Sequence, residues 1–334
     1  MSLNNYSAHR AGLSEFQNDW GMIKAKELLK VQEVIVIDGE STLESAVQTL
    51  IQNGVSSAPI YDREAQAFVG MFDYRDMLTY VLAVKERGSI LHSETSQEIV
   101  DLIKKASNAE SIPVKLASDL SQRNPFYSIT EDTSLIQILD LLSTSVHRAV
   151  VVNNAGDIRG ILSQSLVVEY IFKKLESYPD LKSLFSKKLP ELKIGKSEVV
   201  SINMDRPVVD AMALLIRSGL SSIAVIDQSD HVLGNISLSD VKQYIQKNYR
   251  QSVLHGSCIQ FVSQIRMDQG LEHGADHAPI YDVPPEATLH HTVAKMLATK
   301  SHRIWVADSN GHPVGVVSLT DVLRLLCTLQ EESV

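Results

Sequence analysis

The chain has 334 residues, of which 44% are apolar and 21% charged, and it carries a net charge of −9. That apolar share supports packed cores rather than general disorder, and the acidic balance disfavours nucleic-acid binding, which wants a basic face to displace counterions. No apolar run approaches the roughly 18 residues a membrane-spanning helix needs, and two cysteines, Cys258 and Cys327, are too few for a disulfide framework.

The first 30 residues read as a polar arm carrying Phe16 and Trp20, placed to pack on the body of the protein or on a partner. They lack a positive-then-apolar signal pattern, so the expected location is cytoplasmic, with the nucleus as a possible second compartment. From Val34 the first of four similar passes begins. A strand-sized run, Val34 to Ile37, leads into a helix whose Leu43, Ala46, Val47 and Leu50 fall at i, i+3, i+4 and i+7. A strand through Ser57-Ala58-Pro59 follows, then a second strand from Gly70 and a helix from Asp76. The second pass, from Tyr127, has a helix in TSLIQILDLL, a strand over Ala149 to Val152 and an Asn153-Asn154-Ala155-Gly156 turn. Its second strand starts at Gly160 and its last helix at Leu166. The third pass, from Val200, places a strand at Ile223 to Ile226, a second at Gly234 and a helix at Asp240. The fourth, from Ile280, repeats the helix with Leu289, Val293, Met296 and Leu297, then Ile304 to Val306, the Asp308-Ser309-Asn310-Gly311 turn, Gly315 and Asp321.

The spacing is tight: His147 to Leu166, Ser221 to Asp240 and His302 to Asp321 are each 19 residues apart, and Ser56 to Asp76 is 20. The unit is β-α-β-β-α, about 50 residues long, too small to bury its own sheet, so units are expected to pair. The expected layout is an arm at 1–30, repeat 1 at 31–86, a helical connector at 87–123 and repeat 2 at 124–174. A Lys-rich connector at 175–195, repeat 3 at 196–250, a connector at 251–276 and repeat 4 at 277–330 complete it.

Asn53-Gly54-Val55 with Ser57-Ala58-Pro59, Val69-Gly70-Met71, the dipeptides His147-Arg148 and His302-Arg303, and the endings Ser237-x-Ser239-Asp240 and Ser318-x-Thr320-Asp321 resemble the cystathionine-beta-synthase (CBS) repeat. Four repeats in one chain resemble the gamma subunit of AMP-activated protein kinase, and also the gamma-like fungal branch linked to stress and to inhibition of type 2A-like phosphatases. The resemblance implies an α/β (α+β) fold of two side-by-side pairs (Bateman modules) forming a disc. It also implies adenine nucleotides in the clefts, phosphates towards a central channel.

An adenosine ligand presents a ribose diol whose two hydroxyls one carboxylate can accept in a charge-assisted pairing, an anion that suits a helix N-terminus and an adenine that wants an apolar slot. Ser318, Thr320 and Asp321 supply the polar parts in repeat 4, and Ser237, Ser239 and Asp240 in repeat 3. Asp321 and Asp240 serve equally well as helix N-caps, and on sequence alone both readings stand. Leu166 replaces the carboxylate in repeat 2, so that cleft cannot grip a diol. Repeat 1 keeps Asp76, but Asp73 stands where a hydroxyl is expected and would repel an anion, leaving Asp76 a weak candidate. The resemblance places His147, Arg148, His302 and Arg303 at the centre as phosphate grips. It adds Ser221 and the apolar surroundings of Val200 to the Asp321 site, with Lys196 nearby, and Ile280 as an adenine contact. Kinase gamma subunits carry an arginine at the position of Ser56 and a lysine at that of Ser165. Their loss here weakens the kinase assignment.

The histidines His273, His277, His290 and His291 fall on a stretch broken by Gly274, Pro279 and Pro284-Pro285, which argues for loop and against a metal site. Lys173, Lys174, Lys182, Lys187, Lys188, Lys193 and Lys196 read as a solvated face. No catalytic motif is present. The expected protein is therefore a non-enzymatic energy-sensing regulator, binding AMP, ADP or ATP as ligand without a cofactor. Its expected partner is a Ser/Thr phosphatase or a Ser/Thr kinase complex. A plain interaction scaffold with degenerate pockets is the competing class.

Overall fold

The computed structural model describes residues 20–29, 33–85, 111–121, 125–144, 146–247, 251–274 and 278–332. Phe16, His277 and most of the 87–123 connector lie outside the described residues.

Four three-stranded sheets repeat one topology. Their strands are β1 (Ile37–Asp38), β2 (Ser57–Asp62) and β3 (Ala67–Asp73); β4 (Ser128–Thr130), β5 (Arg148–Val152) and β6 (Ile158–Ser163); β7 (Ser201–Asn203), β8 (Ser222–Ile226) and β9 (Val232–Ser237); β10 (Asp282–Val283), β11 (Arg303–Ala307) and β12 (Pro313–Ser318). In each, the short first strand pairs parallel to the second, and the second pairs antiparallel to the third. The described helices are α1 (Ala25–Leu28), α2 (Leu43–Gln52), α3 (Tyr74–Lys85), α4 (Leu135–Leu142), α5 (Gln164–Lys173), α6 (Pro179–Ser186), α7 (Val208–Ser218), α8 (Leu238–Gln246), α9 (Cys258–His273), α10 (Leu289–Thr299) and α11 (Leu319–Glu332). No helix among the described residues is long and apolar enough to cross a membrane.

Two boundaries differ from the sequence expectation, for one reason each. The third strand begins before its glycine, because Gly70, Gly160, Gly234 and Gly315 sit inside the strand at the point where the ladder register shifts. The last helix begins two residues before the expected carboxylate, because the strand's terminal residue caps it. Ser237 accepts from the Asp240 amide while Asp240 Oδ2 accepts from the Ser237 amide, a capping box. Asp240 and Asp321 therefore stand at the third helical position, not at the N-cap.

The lead-in to each repeat crosses onto the other member of its pair. Isolated bridges join Lys24 to Ser134, Thr42 to Pro113, Lys188 to Thr288 and Pro207 to Ser257. The strand glycines permit this closeness: a Cβ at Gly315 would lie 2.0 Å from the Gly195 carbonyl oxygen, and one at Gly70 2.2 Å from Ser118 Oγ. Repeats 1 and 2, and repeats 3 and 4, are thus exchanged pairs. Helices join the pairs in the other direction. One core unites α4 and α5 of repeat 2 with α10 and α11 of repeat 4, and a second sets Leu78 and Leu82 of α3 against α7 of repeat 3.

Trp20 packs on the body of the protein at 2% exposure, its indole N–H donating to Asp180 at 2.7 Å. The histidine stretch is not the loop expected. His273 lies in α9, which Gly274 ends in the left-handed conformation, and His290 and His291 lie in the first turn of α10 under the Thr288 cap. His290 packs against Phe172, the ring centroids 4.9 Å apart and the planes tilted by 35°. Connector lysines form exposed ion pairs, Lys182 with Glu176 and Lys188 with Glu286. The tightest acidic group among the described residues, Glu40, Asp62 and Glu64, holds Lys115, whose ammonium stands 3.3 Å from Asp62 and 3.5 Å from Glu64.

Candidate nucleotide site

Each strand-to-helix junction presents one residue at the third helical position towards the cleft, and four chemistries result. In repeat 4, Asp321 Oδ2 accepts from the Ser318 amide at 2.8 Å and from Ser318 Oγ at 2.7 Å. Asp321 Oδ1 has no protein partner among the described residues, and the side chain is half-buried. In repeat 3, Asp240 Oδ2 has the same pair of donors, but Oδ1 accepts from Arg266 of α9 at 2.7 Å. The two side chains are 3% and 12% exposed. In repeat 1, Asp76 is fully buried. Its Oδ2 accepts from the Asp73 amide and its Oδ1 from the Ser121 amide at 3.0 Å. Burial, reinforced by the neighbouring Asp73, pushes the Asp76 carboxyl well up. In repeat 2, Leu166 gives only its amide to Ser163 Oγ.

Asp73 has a different role from the one expected. Its Oδ1 accepts from the amides of Arg75 and Asp76, taking over the cap that serine provides in the other repeats, and its Oδ2 faces Arg148 at 3.8 Å. It is a cap that holds a central arginine, and the reason Asp76 offers little to a ribose lies in Asp76's own protein partners.

The two His-Arg pairs come together. His302 is held down to about 4, first by burial and then by Arg148, His147 and Arg303. By surface area His302 is nevertheless an exposed residue. His147 is lowered likewise by burial and by Arg148 and Arg75, partly offset by a 3.2 Å contact with Gln164 Oε1. Gln164 Nε2 donates to Thr320 Oγ1 at 3.0 Å, so this residue links repeats 2 and 4 across the centre. Arg303 Nε donates to Ser221 Oγ at 3.0 Å, joining repeats 4 and 3; burial lowers the pKa of its guanidinium, an effect that nearby Asp321 partly offsets.

The structure brings Asp321, Ser318, Thr320, His302, Arg303, Ser221, His147 and Arg148 into one neighbourhood. Residues 195–197 run along β12, with the Ser197 amide on the Val314 carbonyl, so the lead-in of repeat 3 borders the Asp321 junction. Lys196 is exposed there, and Val200 joins the ladder through its carbonyl and packs on the repeat 3 core. The Pro279 carbonyl lies near Gly234, which brings the lead-in holding Ile280 to the Asp240 junction instead. Three residues were missed. Arg75 is 5% exposed and aligns with Thr320, adding a third guanidinium to the centre. Gln164 and Arg266 were also overlooked. Only Arg75 left a signal, a charge where the other repeats carry a hydroxyl.

Comparison with known proteins fits this arrangement. The CBS-domain pattern matches residues 25–83, 117–173, 193–247 and 277–328. The chain belongs to the CBS-domain family. Among curated proteins, this CBS protein is 33% identical over 307 residues to Protein SDS23 of Vanderwaltozyma polyspora, covering 88% of the chain and 57% of that relative. It is 36% identical over 296 residues to Protein sds23 of Neosartorya fischeri, covering 87% and 54%. The chain therefore spans a little over half the length of these relatives. Among solved structures, it is similar to protein MJ1225 of Methanocaldococcus jannaschii, described as an archaeal homologue of the AMP-activated kinase gamma subunit. That match has a TM-score of 0.65 at 12% identity and covers 91% of this chain and 100% of that one. An uncharacterised conserved protein of Pyrococcus horikoshii matches with a TM-score of 0.53 at 14% identity, again over 91% and 100%. At these identities the likeness is one of fold.

Proposed function

We propose that this CBS protein is a non-catalytic, adenine-nucleotide-responsive regulator of a Ser/Thr signalling enzyme, with the Asp321 cleft as its principal site. One observation carries the reading: of the carboxylates at the described junctions, Asp321 alone has an oxygen that no described residue of the protein engages, beside the half-buried Arg303 and near Arg75 and Arg148. A ribose diol fits the open oxygen, and phosphate fits the arginines. The SDS23 relatives, together with the resemblance to the gamma-like fungal branch, support a stress-linked regulator of a type 2A-like phosphatase. Arg75 favours a second reading, a kinase gamma subunit, because it returns one of the positive charges missing at Ser56 and Ser165.

Calorimetric titration of AMP, ADP and ATP into the chain tests the binding. Wild type is expected to bind AMP or ADP, and Asp321→Ala to lose about ten- to a hundredfold in affinity, the value of a charge-assisted pair. Undiminished binding by Asp321→Ala sinks the site assignment. Affinity capture separates the two readings by whether phosphatase or kinase subunits are retained. ATP turnover that survives repurification and vanishes in Asp321→Ala would show an enzyme instead.

A further inference from the structure

The third cleft carries a complete set of junction residues, Ser237, Ser239 and Asp240, yet its carboxylate is engaged from outside the repeat. The engaging group, Arg266, belongs to α9, which packs on β9 and α8 of repeat 3, Val262 meeting Gly234. Its guanidinium gives Nη1–H to Asp240 Oδ1 at 2.7 Å and to Gln269 Oε1 at 3.0 Å, and Gln269 in turn donates to Gln243 Oε1 at 2.9 Å. Asp240 Oδ1 is the counterpart of the open Asp321 Oδ1. The guanidinium gives Asp240 Oδ1 one N–H donor, where a ribose hydroxyl would give an O–H.

We propose that Arg266 is a built-in occupant of the third cleft, a specificity-determining latch that takes the ribose position at Asp240 and reserves adenosine binding for the Asp321 site. The proposal rests on reading these clefts as nucleotide sites. The contact is incompletely satisfied: Arg266 Nε and Gln243 Nε2 are both buried without a hydrogen-bond partner among the described residues, and Gln243 is 8% exposed. Two orphaned donors make the latched arrangement costlier than a fully paired one.

The test titrates AMP into four proteins: wild type, Arg266→Ala, Asp321→Ala with Arg266→Ala, and that pair with Asp240→Ala added. Wild type is expected to bind one AMP, Arg266→Ala two, the double variant one, and the triple variant none. Arg266→Gln, which keeps a polar side chain without the charge, is the second route if Arg266→Ala does not fold by circular dichroism, and it too is expected to bind two. Two AMP in wild type, or no gain in either folded Arg266 variant, overturns the latch. Failure of the Asp321 site has a different signature: wild type then binds nothing, while the double variant still reports on the third cleft through its loss on adding Asp240→Ala.

Discussion

The third and fourth repeats carry nearly the same ending, Ser-x-Ser-Asp against Ser-x-Thr-Asp, and their capping boxes superpose bond for bond, with Oδ2 held by the serine in both. They differ in what reaches the second carboxylate oxygen. At Asp240 it is an arginine from a connector helix, and at Asp321 none of the described residues reaches it. A motif therefore sets the capability of a cleft, and the connectors decide whether the protein itself uses it up. Repeats 1 and 2 extend the series, one closed by the Ser121 amide and the other disarmed by leucine.

The largest expected effect on this contrast comes from the backbone that shapes the fourth cleft. Gly315→Ala places a methyl group 2.0 Å from the Gly195 carbonyl, whereas Gly234→Ala meets a side-chain methyl of Val262 at 2.9 Å. Gly315→Ala is expected to cost more than about 4 kcal/mol and Gly234→Ala clearly less. Urea denaturation measures both, and equal losses would mean that the backbone approach at Gly315 is no more restrictive than the side-chain approach at Gly234. Next comes a dissociation between stability and binding. Asp240→Ala strands a buried guanidinium and should cost about 3–5 kcal/mol of stability while leaving AMP affinity at Asp321 within twofold. Asp321→Ala should cost about 1 kcal/mol, the worth of a helix cap, with the affinity loss given above. Thermal melts beside titrations separate these. Reversed roles would show that Asp321 is the structural ion partner.

The smallest effect is on pH. His302 is held below its ordinary value, so it is neutral in the ligand-free protein at pH 6, and a phosphate beside it raises it. Binding of AMP near pH 6 is then accompanied by proton uptake, which disappears above pH 8, where the histidine stays neutral with or without ligand. Titration in buffers of different ionisation enthalpy reads this directly. Equal apparent enthalpies at pH 6, or an unchanged uptake in His302→Asn, would place the phosphate elsewhere.

Much of this was legible in the sequence, because repetition is a local signal. The helix faces at Leu43, Ala46, Val47 and Leu50, the turn residues and the 19-residue spacing each come from one continuous stretch. The same spacing put His-Arg and Ser-x-Thr-Asp within one neighbourhood. What escaped comes from between the repeats. Arg266 and Ser121 lie on connectors that share no pattern with one another, and a side chain's arrival at a carboxylate 26 or 45 residues away leaves no trace in periodicity. Asp73 was misread for a related reason. As a sequence change it looked like lost ligand chemistry, whereas an aspartate caps a helix as well as a serine does and here also meets Arg148.

The crossing lead-ins also set a timetable for synthesis. Residues 24–29 find their place only against Ser134 and Gly160, so the first pair stays incomplete until its second sheet has left the ribosome. At about 5–20 residues per second, that is a wait of several seconds with an amphipathic segment unpartnered. The second pair repeats the delay between Lys188 and Thr288. Until residues 319–332 follow, α4 and α5 lack α11, whose Leu323 and Leu326 complete their core. Nascent chains of this protein consequently pass through two windows in which apolar surface awaits sequence not yet translated, and a pause site placed inside either window would prolong that exposure.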